Sequence, residues 1–317
     1  MKILFLNRHP FSNSVDSSSL PGVAKSLGHE LVDDLEEVPD VVVCIDWTKP
    51  ASAMLSRAAA VGIPRFLVKL EPSVVIPEYQ RAEIAALFTG VMDMGRPFSK
   101  PVYPYPQEWD AGFFEYPIRR DRLVAVSANK YSFVPGELYS LRAAAYATLP
   151  SLDVYGKGWD RPLWVNLLRL VKEVQIASGG GVPLTYRCVK NIWSKPQNYK
   201  GVSEIKLETL SRYKYSLVIE NSAEYMSEKL IDSILAGAMP VYVGPEVEAL
   251  GVPRNLFFPA APNIQDIERV ISEIKLEDWE KWRDSAREWI LDPANEKRWG
   301  VRTVNINIIN EVVASLE

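Results

Sequence analysis

Short apolar runs rich in β-branched residues recur along the chain: ILFL at residues 3–6, VVVCI at 41–45 and FLVKL at 66–70. Runs of this length, bounded by turn residues and without strict alternation, predict strands buried on both faces. Between them residues 51–61 carry apolar positions at helical spacing and predict a helix. Strand and helix in alternation predict a parallel sheet in a Rossmann-like domain. From 96 to 122 the pattern breaks, with Pro97, Pro101, Pro104, Pro106 and Pro117 interleaved with aromatics and charges. Proline has no N–H to donate and fixes φ, so this stretch predicts the connection between two domains. Alternation resumes at Leu123, with a helical pattern over 162–177 and then Gly179-Gly180-Gly181 in a loop. Beyond Pro262 the pattern is helical, and Trp279, Trp282, Ala286, Trp289 and Ile290 lie close to one face. Asp278, Glu280, Asp284 and Glu288 would repel anionic lipid, so a packed helix is favoured there over one lying on a membrane. The expected organisation is a first sheet domain over 1–118, a second over 119–290, and a C-terminal helical segment over 291–317.

Polar chemistry concentrates in residues 213–245, YKYSLVIENSAEYMSEKLIDSILAGAMPVYVGP. Residues 216–219 and 239–243 read as buried strands, the second closed by Gly244-Pro245. Ser227 reads as the N-cap of a helix whose apolar positions are Leu230, Ile231, Ile234 and Leu235, and Gly237 stops it. The unit is βαβ. In such units ligands gather where the first strand ends and the helix begins, because free backbone N–H groups and the helix dipole favour an anion there. Glu220, Asn221, Tyr225, Glu228 and Lys229 fall in or just after that loop.

The length of 317 residues exceeds the usual size of one domain, which agrees with two sheets. A net charge of −4 excludes a general nucleic-acid binder, although local basic residues suffice to hold a diphosphate. The two cysteines, Cys44 and Cys188, lack CxxC spacing and suit a reducing cytosol. His9 and His29 are the two histidines, which leaves no basis for a histidine zinc site or a Ser-His-Asp triad. The opening run MKILFL lacks the length and cleavage site of a signal peptide, and no apolar stretch reaches 18 residues. A cytoplasmic protein is expected, without a transmembrane segment; peripheral contact with the inner face of the membrane is compatible with this.

The motif in 213–245 is specific in its order: Tyr-Lys-aromatic-Ser-Leu, Glu-Asn-Ser, Tyr-x-x-Glu-Lys, a helix, Ala-Gly, then Pro-Val-x-x-Gly-Pro. It resembles the donor-binding motif of the α1,3-fucosyltransferase family, in particular its bacterial members. The similarity continues upstream in YKGVSEIKLETLSRYKYS (199–216), LVAVSANK (123–130), Arg142 in RAAAYATL, DVYGKGW ending at Trp159, and LVKLEPSVVIPEY (67–79). The resemblance implies an α/β fold of GT-B type, with two Rossmann-like parallel-sheet domains facing across a cleft and C-terminal helices, 291–317 here, that return towards the first domain. It further implies that 1–118 binds a glycan acceptor and 119–290 a GDP-sugar donor. The implied reaction is inverting transfer of L-fucose from GDP-fucose to an acceptor hydroxyl, in α1,3-type linkage, without a cofactor or an essential metal.

Such a transfer needs a base, positive charge for the leaving diphosphate, and contacts that hold the sugar in line. Glu71 follows an apolar strand at its C-terminal end and matches the acidic segment of the family, so it is the candidate general base, with Glu78 in reserve. Arg142 and Lys229 are the matched positive positions; the chain has no Asp-x-Asp pair to hold a metal. Glu228 suits a vicinal diol such as the ribose hydroxyls, because one carboxylate accepts two O–H donors. Asn221 and Tyr225 suit phosphate, sugar or nucleoside contacts; Glu220 suits either the sugar or a structural acceptor. Ser127 and Asn129 match the Ser-Asn that follows the first donor-domain strand. Three departures from the family stand out. Glu71-Pro72-Ser73 replaces the more frequent Glu-Ser-Pro, Val243 stands where tryptophan is frequent, and Ala223 and Glu224 alone separate Ser222 from Tyr225. The short loop keeps open a second donor, another GDP-deoxyhexose, and a non-catalytic nucleotide- or glycan-binding module is the reading outside enzymes. Acceptor recognition falls to loops of the first domain, including 8–19 and the proline-aromatic stretch after Arg96.

Overall fold

A computed structural model of the chain describes residues 1–7, 17–96, 103–179 and 184–317. Most of the expected acceptor loop (residues 8–16), Pro97, Pro101, His9, Gly180 and Gly181 lie outside the described residues. Two compact units are present, one of Met1–Glu108 with Lys297–Glu317 and one of Trp109–Glu296.

The first unit holds strands β1 (Lys2–Leu6), β2 (Glu30–Val32), β3 (Val41–Ile45), β4 (Arg65–Lys69) and β5 (Gly90–Asp93). They form one parallel sheet in the order β2-β1-β3-β4-β5. Every residue of β3 is buried, as its unbroken VVVCI run requires of a central strand covered on both faces. Successive side chains alternate between those faces. Val41, Val43 and Ile45 pack with Val304, Ile308 and Val312 of the last helix, Val301–Ala314. Val42 and Cys44 pack on the opposite side with Leu55 and Ala58 of the helix Lys49–Ala60. The C-terminal segment is therefore part of the core of the first sheet, through apolar positions spaced four residues apart.

The second unit holds β6 (Arg120–Val126), β7 (Leu152–Tyr155), β8 (Asn198–Tyr199), β9 (Tyr213–Ile219), β10 (Met239–Val243) and β11 (Phe258–Pro259). This sheet is also parallel, in the order β11-β10-β9-β6-β7-β8. Leu123, Ala125, Leu217, Ile219, Val241 and Val243 line one face with the helices Tyr139–Thr148 and Ile264–Glu273. The helix expected over 162–177 spans Leu163–Ser178, and the Trp-rich helix spans Leu276–Leu291 with Trp282, Ala286, Trp289 and Ile290 buried. Among the described residues no helix is long and apolar enough to cross a membrane.

One cap differs from expectation. The helix after β9 spans Lys229–Leu235, its N-cap is Glu228 in helical conformation, and no side chain caps it. The Ser227 hydroxyl instead donates to the Glu220 carboxylate at 2.6 Å, and its oxygen accepts from the Lys229 ammonium at 2.6 Å, a charged donor in place of a backbone N–H. Gly237 ends the helix with φ +71° as expected.

Gly156 follows β7 with φ +141°, and an added Cβ would sit 2.0 Å from the carbonyl oxygen of Ser127. Gly156→Ala is therefore expected to cost about 2–4 kcal/mol through combined backbone strain and overlap. Gly28 has φ +86° with nothing within 4 Å of an added Cβ, so Gly28→Ala should cost only the backbone term, about 1–2 kcal/mol. Urea unfolding followed by far-UV circular dichroism checks this; equal midpoints for the two variants would contradict it.

Candidate functional site

In the second sheet β7 and β8 extend to one side of β6, and β10 and β11 to the far side of β9, so the strand order reverses between β6 and β9. Crossovers leave such a point on opposite faces and open a crevice at the C-terminal strand ends. Eight of the nine sequence-derived candidates belong to this unit. β6 leads into Ser127 and Asn129, β9 leads into Glu220 and Asn221, and Arg142 comes from the helix Tyr139–Thr148.

Glu220 is fully buried. Its Oε2 accepts from Ser227 Oγ at 2.6 Å and Lys229 Nζ at 3.3 Å, and Lys229 also donates to Ser227 Oγ at 2.6 Å. Glu220 Oε1 and the Tyr242 hydroxyl are both buried without a hydrogen-bond partner. Burial, and then the negative charge of Glu220, push the Tyr242 phenol well above its ordinary range. Gly244 leaves the room these groups occupy, since a Cβ there would stand 2.4 Å from the Tyr242 hydroxyl and 2.8 Å from Glu220 Cγ.

Arg142 is buried as well and fastens the end of β9. Its Nη2 donates to the carbonyls of Ile219 and Glu220 at 2.6 and 3.0 Å and to Asn221 Oδ1 at 3.1 Å. Its Nε is buried without a partner, and the guanidinium lies 5.0 Å from the centre of the Tyr139 ring. Tyr225 is buried, and Ser222 bridges to both Tyr225 and Glu137, so the short Ala223-Glu224 loop closes as a tight turn. Ser127 Oγ lies 2.9 Å from the Tyr146 hydroxyl, and Asn129 Nδ2 donates to the Gly158 carbonyl at 3.0 Å. A cavity of about 10 Å³, room for one water, is lined by Ser127, Tyr146, Lys206, Lys229 and Ser233, which puts Ser127 and Lys229 on a common wall. Larger hollows of about 560 and 660 Å³ elsewhere in the unit include none of the candidates, and their linings lack such a concentration of buried charge.

Glu228 and Lys229, adjacent in sequence, enter different charge clusters. Glu228 Oε1 accepts from Lys206 Nζ at 2.8 Å, and the same ammonium lies 2.6 Å from Asp232 Oδ2. Burial alone would raise the Glu228 carboxyl, but the charges of Lys206 and Lys229 hold it well below the usual carboxylate range. Burial would lower Lys206, but Asp232 and Glu228 raise it. Asp232 is raised by burial, in part offset by Lys206. The Glu228 side chain keeps 37% of its surface exposed, enough to meet a ligand while its ion pair fixes its direction.

Glu71 lies in the first unit, two residues beyond β4, which ends at Lys69 rather than at Leu70. The first sheet reverses between β1 and β3, and Asp46 follows β3 there with φ +50°. Asp46 Oδ1 accepts from the backbone N–H of Leu70 at 2.8 Å and of Glu71 at 3.1 Å, and from the Tyr79 hydroxyl at 2.8 Å. The buried Asp46 thus sets the backbone on which Glu71 stands. Glu78, the reserve base, lies in the short turn Pro77–Gln80.

Sequence reading missed Lys206, Asp46, Tyr242 and the role of Ser227. Lys206 lies within the upstream run that resembles the family, yet no spacing rule ties position 206 to 228 and 232. Asp46 had a usable signal, an acidic residue directly after a fully apolar strand. Among the described residues no three His, Cys, Asp or Glu side chains gather in a way that could hold a metal ion.

No protein-family model matches the chain. A 72-residue stretch is 39% identical to a fucosyltransferase-like protein of Arabidopsis thaliana, spanning 22% of this chain and 14% of that protein. Solved structures match over nearly the whole length. Anabaena HepE in complex with UDP and glucose has a TM-score of 0.58 at 12% identity, covering 99% of this chain and 100% of that one. An α1,3-fucosyltransferase with GDP has a TM-score of 0.53 at 16% identity, covering 100% of this chain and 89% of that one. A glycosyltransferase of Rickettsia africae has a TM-score of 0.53 at 11% identity, covering 99% and 98%. The fold is GT-B. At these identities the structural likeness establishes the fold, and the site must be argued from its own residues.

The Lys206 cluster makes a pH-dependent prediction. The Glu228 pKa is depressed on folding, so its contribution is present above about 4.3 and is lost as pH falls through the lower folded value. The Lys206 pKa is raised, so its contribution is present below about 10.4 and is lost only above that. Lys206→Met leaves two carboxylates without their shared cation and is expected to cost about 1–3 kcal/mol at pH 7, allowing for the exposure of Glu228. Chemical unfolding of both proteins from pH 7 to pH 3 should show the gap narrowing as the carboxylates protonate in the unfolded chain and in the variant; a gap independent of pH would contradict the assignment.

Proposed function

We propose that this chain is an inverting, metal-independent glycosyltransferase that moves L-fucose from GDP-fucose to a hydroxyl of a glycan acceptor, with Glu71 as general base. The observation that carries the reading is the gathering of Arg142, Asn221, Glu220, Ser227 and Lys229 at the strand-order reversal of the second sheet, on residues that resemble a GDP-fucose-binding motif.

In this reading the acceptor oxygen attacks the anomeric carbon of fucose from the face opposite GDP. The new C–O bond forms as the bond to the terminal phosphate oxygen breaks, and that oxygen keeps the electron pair. Glu71 takes the hydroxyl proton. Lys229 and Arg142 supply the positive charge that stabilises the departing diphosphate, and the Ser227–Glu220 pair holds the Lys229 ammonium in place. Arg142 acts in addition as the strut of the β9 loop. Glu228 accepts from the ribose diol. Asn221, Tyr225, Ser127 and Asn129 shape the pocket that receives the donor. The α1,3-type linkage and a cytoplasmic place in the assembly of lipopolysaccharide or another surface glycan follow from the resemblance and belong to the same proposal.

A second reading keeps GDP and changes the sugar to another deoxyhexose. The direct bridge between Ser222 and Tyr225 favours it, because a loop this short changes the wall nearest the sugar.

The test is GDP release by the purified chain with GDP-fucose and a panel of N-acetyllactosamine-type and other acceptors. Turnover above donor hydrolysis is expected with GDP-fucose; preference for a different GDP-sugar in competition would select the second reading. Glu71→Gln should lower kcat about 10²- to 10⁴-fold while GDP binding stays nearly unchanged. Lys229→Ala should weaken GDP binding by about 10- to 100-fold. No GDP binding and no turnover on any acceptor would overturn the proposal, and GDP binding without turnover would favour a non-catalytic module.

A further inference from the structure

Large exposed hydrophobic side chains are not scattered evenly on this protein. Seventeen occur among the described residues, and eight of them fall between Leu163 and Trp193. A cluster of this kind marks an interaction surface, whereas single exposed apolar residues need no explanation. Five of the eight lie on the helix Leu163–Ser178. Its inner face, with Leu170 and Ala177, packs on Tyr131, Phe133, Cys188 and Ile192. Its outer face presents Trp164 (64% exposed), Leu167 (44%), Leu168 (63%) and Val171 (56%) at positions i, i+3, i+4 and i+7. The neighbouring helix Arg187–Asn191 repeats the arrangement in miniature. Cys188 and Ile192 enter the same buried cluster, while Tyr186, Val189 and Trp193 are exposed at i, i+3 and i+7.

The charges flanking these stripes are mainly positive. Lys172, Arg187, Lys190 and Lys195 are exposed, and Glu173 is the one acidic residue from 161 to 199, in a chain whose net charge is −4. An apolar helix face carrying tryptophans and flanked by lysines and arginines is the composition that settles in the interface of a bilayer. A second copy of the chain would meet the patch with the same positive charges and be repelled. The Trp-rich helix Leu276–Leu291 is the opposite case, with its tryptophans turned largely into the core and Asp278, Glu280, Asp284 and Glu288 along it.

We propose that the surface formed by Trp164, Leu167, Leu168, Val171, Tyr186 and Trp193 docks the second unit onto an anionic lipid membrane. The apolar side chains enter the interface, and the surrounding basic side chains meet the lipid phosphates.

The test is cosedimentation of the purified full chain with vesicles of phosphatidylcholine alone and of phosphatidylcholine mixed with phosphatidylglycerol. Binding is expected to the anionic vesicles, weaker at high salt, and reduced at least about tenfold by Trp164→Glu and by the double variant Lys190→Glu/Lys195→Glu. All these side chains are exposed, and far-UV circular dichroism selects the folded variants; Trp193→Glu is an independent replacement for any that fails. Absence of binding to anionic vesicles, binding that the variants leave unchanged, or a dimer in light scattering that Trp164→Glu dissolves without any vesicle binding would each overturn the proposal. GDP release is measured without membranes, so this result and the transferase reading stand or fall separately.

Discussion

A fully buried carboxylate organises the second unit. Glu220 has left water entirely, and an isolated charge in that position is too costly to persist without counter-charge and donors. Lys229, Ser227 and the room left by Gly244 answer that demand. The start of the helix Lys229–Leu235, the orientation of the lysine and the geometry after β10 are thereby tied to one side chain at the end of β9. Arg142 completes the arrangement from another helix by holding the carbonyls of Ile219 and Glu220 themselves.

The first unit repeats the principle with different residues. Asp46 also follows a fully buried strand at a reversal of strand order, also is buried, and also gathers donors from a neighbouring loop. Its donors include the backbone N–H groups of Leu70 and Glu71 and the Tyr79 hydroxyl, so it fixes the path of the chain at Leu70 and Glu71. In both units a buried carboxylate at the strand ends fixes a neighbour, the Lys229 ammonium in one and the backbone at Leu70 and Glu71 in the other. Mutating such a residue mixes loss of stability with loss of activity, which is why Glu71, Lys229 and Lys206 are the more informative substitutions.

Much of this was legible in the residue pattern. Continuous apolar runs located β1, β3, β4, β9 and β10 to within a few residues, because a strand covered on both faces is apolar along its buried centre. The polar loop after β9 was equally visible; in it Glu220, Ser227 and Lys229 are hydrogen-bonded together, and Asn221 is held by Arg142. Where reading by residue fell short, the cause was competition between partners. Ser227 is a sound N-cap by local chemistry, yet a buried carboxylate seven residues earlier takes its hydroxyl. Glu228 and Lys229, read as a diol acceptor and a diphosphate cation, have partners that spacing did not show, Lys206 for one and Glu220 for the other.

The sequence by itself determined two parallel sheets and the loop that carries the polar chemistry. Those features follow from local composition and periodicity, which act over a few neighbouring residues. Only the tertiary structure decided that the last helix completes the core of the first sheet, that Lys206 is the counter-ion of Glu228, and that the tryptophans of one helix are buried while those of another stand in solvent. Each of these depends on contacts between positions 20 or more residues apart or on which face a helix turns inward, and such pairings are set by packing rather than by spacing along the chain.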